Sequence, residues 1–168
     1  AHADAVHGAE ICRDLQDRLV MIARVSDAGA FVNTNALTLK RSHGDYSVMQ
    51  LLYDGSEIKA VLDFVNAGEV PIAWELIRSY SYMDCTFNAA RLAAYTNEYR
   101  RYAEVSMDDL RYMPYLYLSQ LLSSTYGYKQ YLQTGDEELL AFGRWRTEMC
   151  RYLIANAREV SAELVRLA

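Results

Sequence analysis

Two runs of alternating apolar residues flank an Asp54-Gly55 turn in this chain, with Met49, Leu51 and Tyr53 before it and Ile58, Ala60 and Leu62 after it. Period-two alternation around a D-G dipeptide predicts a β-hairpin, because glycine adopts the positive φ that a tight strand reversal demands. The reversal folds Asp63, at the end of the second run, back beside Gln50, at the start of the first. No single helix or extended strand brings those two oxygen-bearing side chains to one point. His43-Gly44-Asp45 stands just ahead of Gln50, so a histidine, two carboxylates and a carboxamide gather around one hairpin.

Elsewhere the spacing is helical. Ile11, Leu15, Leu19 and Ile22 recur at intervals of three and four and predict a helix over Ala9 to Val25 with those residues on its buried face. Gly29 and Asn33-Thr34-Asn35 break it into a loop leading to Leu37 and Leu39. After Phe64 no second strand signal appears. Pro71 opens a helix with Trp74, Ile77 and Ser81 on one face, and Asn88 to Ala103 forms the next, with Leu92, Tyr95 and Tyr99 aligned. Ser106 to Asp109 reads as a capping box, and Pro114 is expected to kink or restart the helix it opens. Thr134 to Glu137 reads as a second box, before the strongest stripe, Leu139, Phe142, Trp145, Met149, Leu153, Val160, Leu164 and Leu167.

Composition narrows the function classes. Of 168 residues, 52% are apolar and 23% charged, so the chain can bury a core. Seventeen Lys and Arg against twenty-two Asp and Glu leave a net charge of -5, the wrong sign for neutralising phosphates, and no nucleic-acid partner is expected. No apolar run reaches the roughly 18 residues that span a bilayer, so no membrane association and a cytoplasmic location are expected. Cys12, Cys85 and Cys150 lie far apart and are expected as buried reduced thiols, and His2, His7 and His43 are too scattered for a multi-histidine metal site. Of the fourteen tyrosines, Tyr80, Tyr82, Tyr112, Tyr115, Tyr117, Tyr126, Tyr128 and Tyr131 are expected mainly in the core with hydroxyls at its rim, the alternative being a pocket whose ring faces take an ammonium group.

Phosphoryl transfer needs a carboxylate that accepts or orients the acceptor hydroxyl, and oxygen ligands that hold Mg²⁺ across the phosphates. An H-x-D, a carboxamide five residues after its Asp, and a D-F after a short hairpin supply those groups in that order. The stretch resembles the aminoglycoside phosphotransferase and choline kinase superfamily, small-molecule relatives of protein kinases. The signature of that superfamily is H-G-D-x-x-x-x-N-hydrophobic, a hairpin, two hydrophobic residues and D-F, with A-G and D-L further on. Here it reads His43-Gly44-Asp45, Gln50-Leu51-Leu52, Val61-Leu62-Asp63-Phe64, Ala67-Gly68 and Glu75-Leu76, covering about Ser42 to Leu76.

The resemblance implies Asp45 as catalytic base or hydroxyl-orienting carboxylate and His43 as a brace of the catalytic loop. It implies Asp63 and Gln50 as Mg²⁺ ligands, ATP as phosphoryl donor, and a small hydroxylated acceptor, amine-bearing molecules being one class of it. Glu69, Glu75 and Asp84 follow, where relatives build acceptor pockets, and are candidate substrate-binding carboxylates beside their reading as capping or solvated charges. Gln50 stands where the family has Asn, and Val65 where many relatives carry a second acidic residue.

The implied fold class is mainly α with a small β-hairpin (α+β), the C-terminal lobe of a protein-kinase-like fold. A single domain spans 1–168: a leading helix and loop (1–36), the catalytic loop and metal-binding hairpin (37–66), and a helical subdomain (67–168). The chain holds no G-x-G and no G-x-x-x-x-G-K, and Lys40 is its one lysine ahead of the motif, so the N-terminal nucleotide-binding lobe is expected as a missing partner. The isolated chain is then expected to be inactive. Two other readings stay open: a kinase-like pseudoenzyme or binding module with an impaired metal site, and a helical interaction protein that carries the pattern by chance.

Overall fold

Gly55, at φ 60, turns the predicted hairpin in the computed structural model, which describes residues 3–27, 32–83 and 88–168. Strand β2 (Leu51–Asp54) runs antiparallel to β3 (Glu57–Val61), with Leu51 opposite Val61 and Asp54 opposite Glu57. The register shifts between Leu52 and Tyr53, which face Ala60 and Ile58, and leaves Lys59 as the extra residue of a bulge.

A second antiparallel pair corrects the expectation of helix alone after Phe64. Strand β1 (Leu39–Ser42) lies against β4 (Gly68–Pro71), with Leu39 opposite Pro71 and Ser42 opposite Gly68. Four residues are too few for alternation to register, and Gly68 and Pro71 are poor strand formers. Pro71 is tolerated because it ends a strand with a single neighbour, where a missing N–H costs little. The rest is helical: α1 (Ala3–Asp27), α2 (Ile72–Met83), α3 (Ala89–Arg100), α4 (Met107–Ser123), α5 (Tyr128–Thr134) and α6 (Glu137–Leu167). The fold is mainly α with a small β part, as the sequence implies. Among the described residues no helix is long and apolar enough to cross a membrane.

The chain forms two compact units, one of Ala1–Phe31 and Leu118–Ala157, the other of Val32–Tyr117 and Arg158–Ala168. In the first, Ile11 of α1, Tyr128 and Tyr131 of α5 and Leu140 of α6 form a buried cluster flanked by Leu15 and Leu139. Here the predicted face of α1 is corrected. Leu19 and Ile22 are exposed, and Arg18 and Met21 turn inward with Ile11. The reason is polar. Arg18 donates to the carbonyls of Leu121 and Ser124 at 3.3 and 2.7 Å, and to Thr147 Oγ1 at 2.9 Å. The last carbonyls of a helix such as α4 lack intrahelical donors, and a guanidinium satisfies several at once. Apolar periodicity carries no sign of that.

Cys12 lies on the outward side of the same helix and is exposed, against expectation, whereas Cys150 is buried. Cys85 lies outside the described residues. The Thr134 box is corrected too: Thr134 ends α5, Gly135 follows at φ 73, and Asp136 caps α6 by accepting the Glu138 amide at 2.9 Å.

In the second unit Ile72, Leu76 and Ile77 of α2, Leu92 of α3, Leu110 and Met113 of α4 and Leu164 of α6 are buried. The Ser106 box forms as read. Ser106 Oγ accepts the Asp109 amide at 3.0 Å, and Asp109 accepts the Ser106 amide at 2.8 Å. Asp109 is fully buried and takes a third bond, from the Thr38 amide at 2.9 Å, which ties the start of α4 to the entry of β1. Helix α2 packs against β1, β4 and the short turn Val48–Gln50. That packing sets the rigid element beneath the loop that carries Asp45.

Candidate active site

The loop between β1 and β2 carries His43, Gly44 and Asp45, and each is held from a different direction. His43 is buried, and its Nε2 lies 2.6 Å from the carbonyl oxygen of Leu62. A carbonyl only accepts, so Nε2 carries the proton and the bond clamps the loop to the end of β3. The ring lies 4.6 Å from that of Phe64 and meets Tyr46 edge-on at 5.9 Å. Its Nδ1 is buried with no hydrogen-bond partner among the described residues.

Gly44 has φ +79, and a Cβ there would come within 2.0 Å of the Asn66 carbonyl oxygen. The loop passes the turn after Asp63 at a distance that leaves no room for a side chain. Below, Glu75 of α2 accepts the Gly44 amide at 3.0 Å and the Tyr46 amide at 3.3 Å, so both backbone neighbours of Asp45 hang on one carboxylate. Burial pushes the Glu75 carboxyl above its ordinary range, opposed by those two bonds and by the nearby His43 and Arg78 charges. Asp45 itself is paired with Arg78, whose Nε and Nη2 both reach Oδ1, and the guanidinium lies over the Trp74 ring, 5.6 Å from its centre.

Gln50 ends a short 3-10 turn, Val48–Gln50, that Ser47 opens by accepting the Met49 amide at 3.3 Å. The Ser47 hydroxyl also bonds Gln50 Oε1. The hairpin brings Gln50 beside Asp63: the Leu62 amide donates to the Gln50 carbonyl at 2.8 Å, extending the ladder by one rung. Asp63 sits at φ 63 and ψ 58, the one non-glycine residue with positive φ among the described residues, and its carboxylate makes no cap bond to the turn Phe64–Asn66. Asp tolerates this left-handed conformation better than most residues, and such outliers concentrate where a side chain must be aimed.

Among the described residues no group of three or more His, Cys, Asp or Glu could hold a metal. The donor set is one carboxylate and one carboxamide oxygen, both hard ligands, and Mg²⁺ is commonly held by one or two carboxylates with the substrate phosphates completing its shell. A carboxamide oxygen has two lone pairs, so the Ser47 bond leaves one on Gln50 for a cation. In donor chemistry, the two residues suit a magnesium ion.

Glu69 lies exposed on β4 opposite Arg41, and Asp84 lies outside the described residues. Glu75 faces the backbone of the loop. Arg78 is the site residue that motif reading misses. Its signal is helical spacing, since it stands three positions after Glu75 and four after Trp74 on the helix that follows the motif.

A loop carboxylate ahead of a hairpin, with a second carboxylate where the hairpin ends, is an arrangement compatible with a kinase-like phosphotransferase fold. Residues 7–105 match the model of the phosphotransferase enzyme family, and the chain belongs to that family. The match runs well beyond the motif, from α1 to the end of the segment after α3. Comparison with curated proteins and with solved structures returned no match.

Proposed function

We propose that the chain is the C-terminal lobe of an ATP-dependent phosphotransferase acting on a hydroxyl of a small molecule, with amine-bearing alcohols the first class to test. The observation that carries this is the suspension of Asp45: its two backbone neighbours are tied to Glu75 and its carboxylate to Arg78. A group that must meet a hydroxyl at hydrogen-bond distance benefits from being held before the substrate arrives. In this reading Asp45 takes the hydroxyl proton as the acceptor oxygen bonds the γ-phosphorus and the bond to ADP breaks. Asp63 and Gln50 would hold Mg²⁺, which supplies neutralisation of charge on the phosphates.

A nucleotide-binding lobe is the proposed partner, and the surface around the hairpin supports it. Met49 is 76% exposed, Val65 88%, and Leu52, Ile58 and Phe64 each more than half. Several large apolar side chains left bare around one hairpin are the mark of an interaction surface. A cytoplasmic location belongs to the same proposal, since the proposed donor is ATP.

The departure at Gln50 favours a second reading, a kinase-like binding module, because its carboxamide already serves Ser47. Titrating the full-length protein with ATP, with and without Mg²⁺, and measuring ADP release with a panel of amino alcohols and sugars tests both. Metal-dependent binding with acceptor-dependent ADP release supports the phosphotransferase; nucleotide binding indifferent to metal and no ADP release support the module.

A further inference from the structure

We infer that Arg78 is a positioning residue for phosphoryl transfer: it fixes Asp45 through Oδ1 and leaves Oδ2 as the oxygen presented to the acceptor hydroxyl. The inference rests on the reading of Asp45 as the hydroxyl-orienting carboxylate, and nothing in the H-G-D or D-F pattern assigns a role to position 78.

The geometry is asymmetric. An arginine that only neutralises a carboxylate commonly takes both oxygens in a fork. Here Nε and Nη2 of Arg78 both reach Oδ1. No hydrogen bond reaches Oδ2 among the described residues. The pair is largely withdrawn from water, with 14% of the Arg78 side chain and 22% of the Asp45 side chain exposed, so solvent screens it weakly. Trp74 supports the guanidinium from one turn earlier on α2.

Position on the helix matters as much. Glu75 and Arg78 lie three residues apart on one side of α2, so a single rigid element sets both the backbone around Asp45 and the rotation of its side chain. A loop aspartate without such a tether samples several rotamers, and each unproductive one removes it from the reaction. Guanidinium suits the task because it stays protonated at all working pH and cannot take the proton meant for Asp45. Lysine would keep the charge but not the rigid two-nitrogen contact.

The test compares wild type, Arg78→Ala, Arg78→Lys and Asp45→Asn in the full-length protein, by ADP release from Mg·ATP with the acceptor panel and with water alone. Loss of the tether should lower kcat of Arg78→Ala by about 10²-fold with the KM for ATP changed less than about twofold, and Arg78→Lys should recover part of the loss. If the alanine variant does not fold, Arg78→Gln, closer in length, takes its place. Wild-type kcat in Arg78→Ala, a rise in KM alone, or full recovery by lysine overturns the inference while Asp45→Asn stays inactive. No ADP release by wild type, or undiminished release by Asp45→Asn, instead refutes the phosphotransferase reading beneath it.

Discussion

The carbonyl oxygen of Asn66 lies where a Cβ on Gly44 would have to go, 2.0 Å from its ideal position. The loop that carries Asp45 and the turn that follows Asp63 therefore meet backbone to backbone, and the two carboxylates are spaced by that contact. Gly44→Ala must shift one segment or the other. It also forces a non-glycine residue to φ +79, a strain of about 1–3 kcal/mol before the clash is counted. The expected outcome is turnover lowered by about 10²-fold or more, with helical circular dichroism retained because α1 to α6 lie outside the loop. A fully active alanine variant would show that the spacing is not needed.

Glu75 is the anchor below. Glu75→Gln replaces one of two acceptor oxygens by an amide donor that faces a backbone N–H, a loss of about 1–3 kcal/mol for a buried group left unpaired. The pH dependence has a definite sign. Burial raises the folded-state pKa of Glu75, so the stability linked to its protonation is present below its unfolded value and is lost as pH rises through the folded value. The stability of wild type relative to Glu75→Gln should therefore grow as pH is lowered from neutral toward the ordinary carboxylate range, read from urea midpoints. A difference that is flat or shrinks over that range contradicts the assignment.

Metal dependence separates Asp63 from Gln50. Asp63→Asn removes the one carboxylate of the pair, and the Mg²⁺ concentration for half-maximal ADP release should rise at least about tenfold. Gln50→Asn restores the family's shorter carboxamide and lifts its oxygen away from Ser47, so the same concentration should fall. Unchanged Mg²⁺ dependence in both variants would remove these residues from the metal site.

The fold and the site were legible to different depths. The hairpin was plain because alternation and the Asp54-Gly55 turn agree, and the Ser106 cap because its two partners sit at the spacing the bonds require. The pair β1 and β4 was hidden, since strands of four residues with Gly68 and Pro71 in one of them carry no periodic signal. The inward face of α1 is not legible in the spacing because Arg18 is buried for its hydrogen bonds, a driving force that apolar spacing does not register. The motif residues His43, Asp45, Gln50 and Asp63 stood out as chemical types in order. The Arg78 partnership did not, because it joins a loop to a helix 33 positions away and depends on how α2 packs.

The account turns on Asp45 as the group that meets the acceptor hydroxyl. The direct test is ADP release from Mg·ATP by the full-length protein in the presence of the acceptor panel, wild type against Asp45→Ala. The account predicts that the variant folds and binds nucleotide as wild type does, and loses at least about 10²-fold in turnover, the contribution expected of a positioned general base. Turnover equal to wild type in a folded Asp45→Ala protein would contradict it.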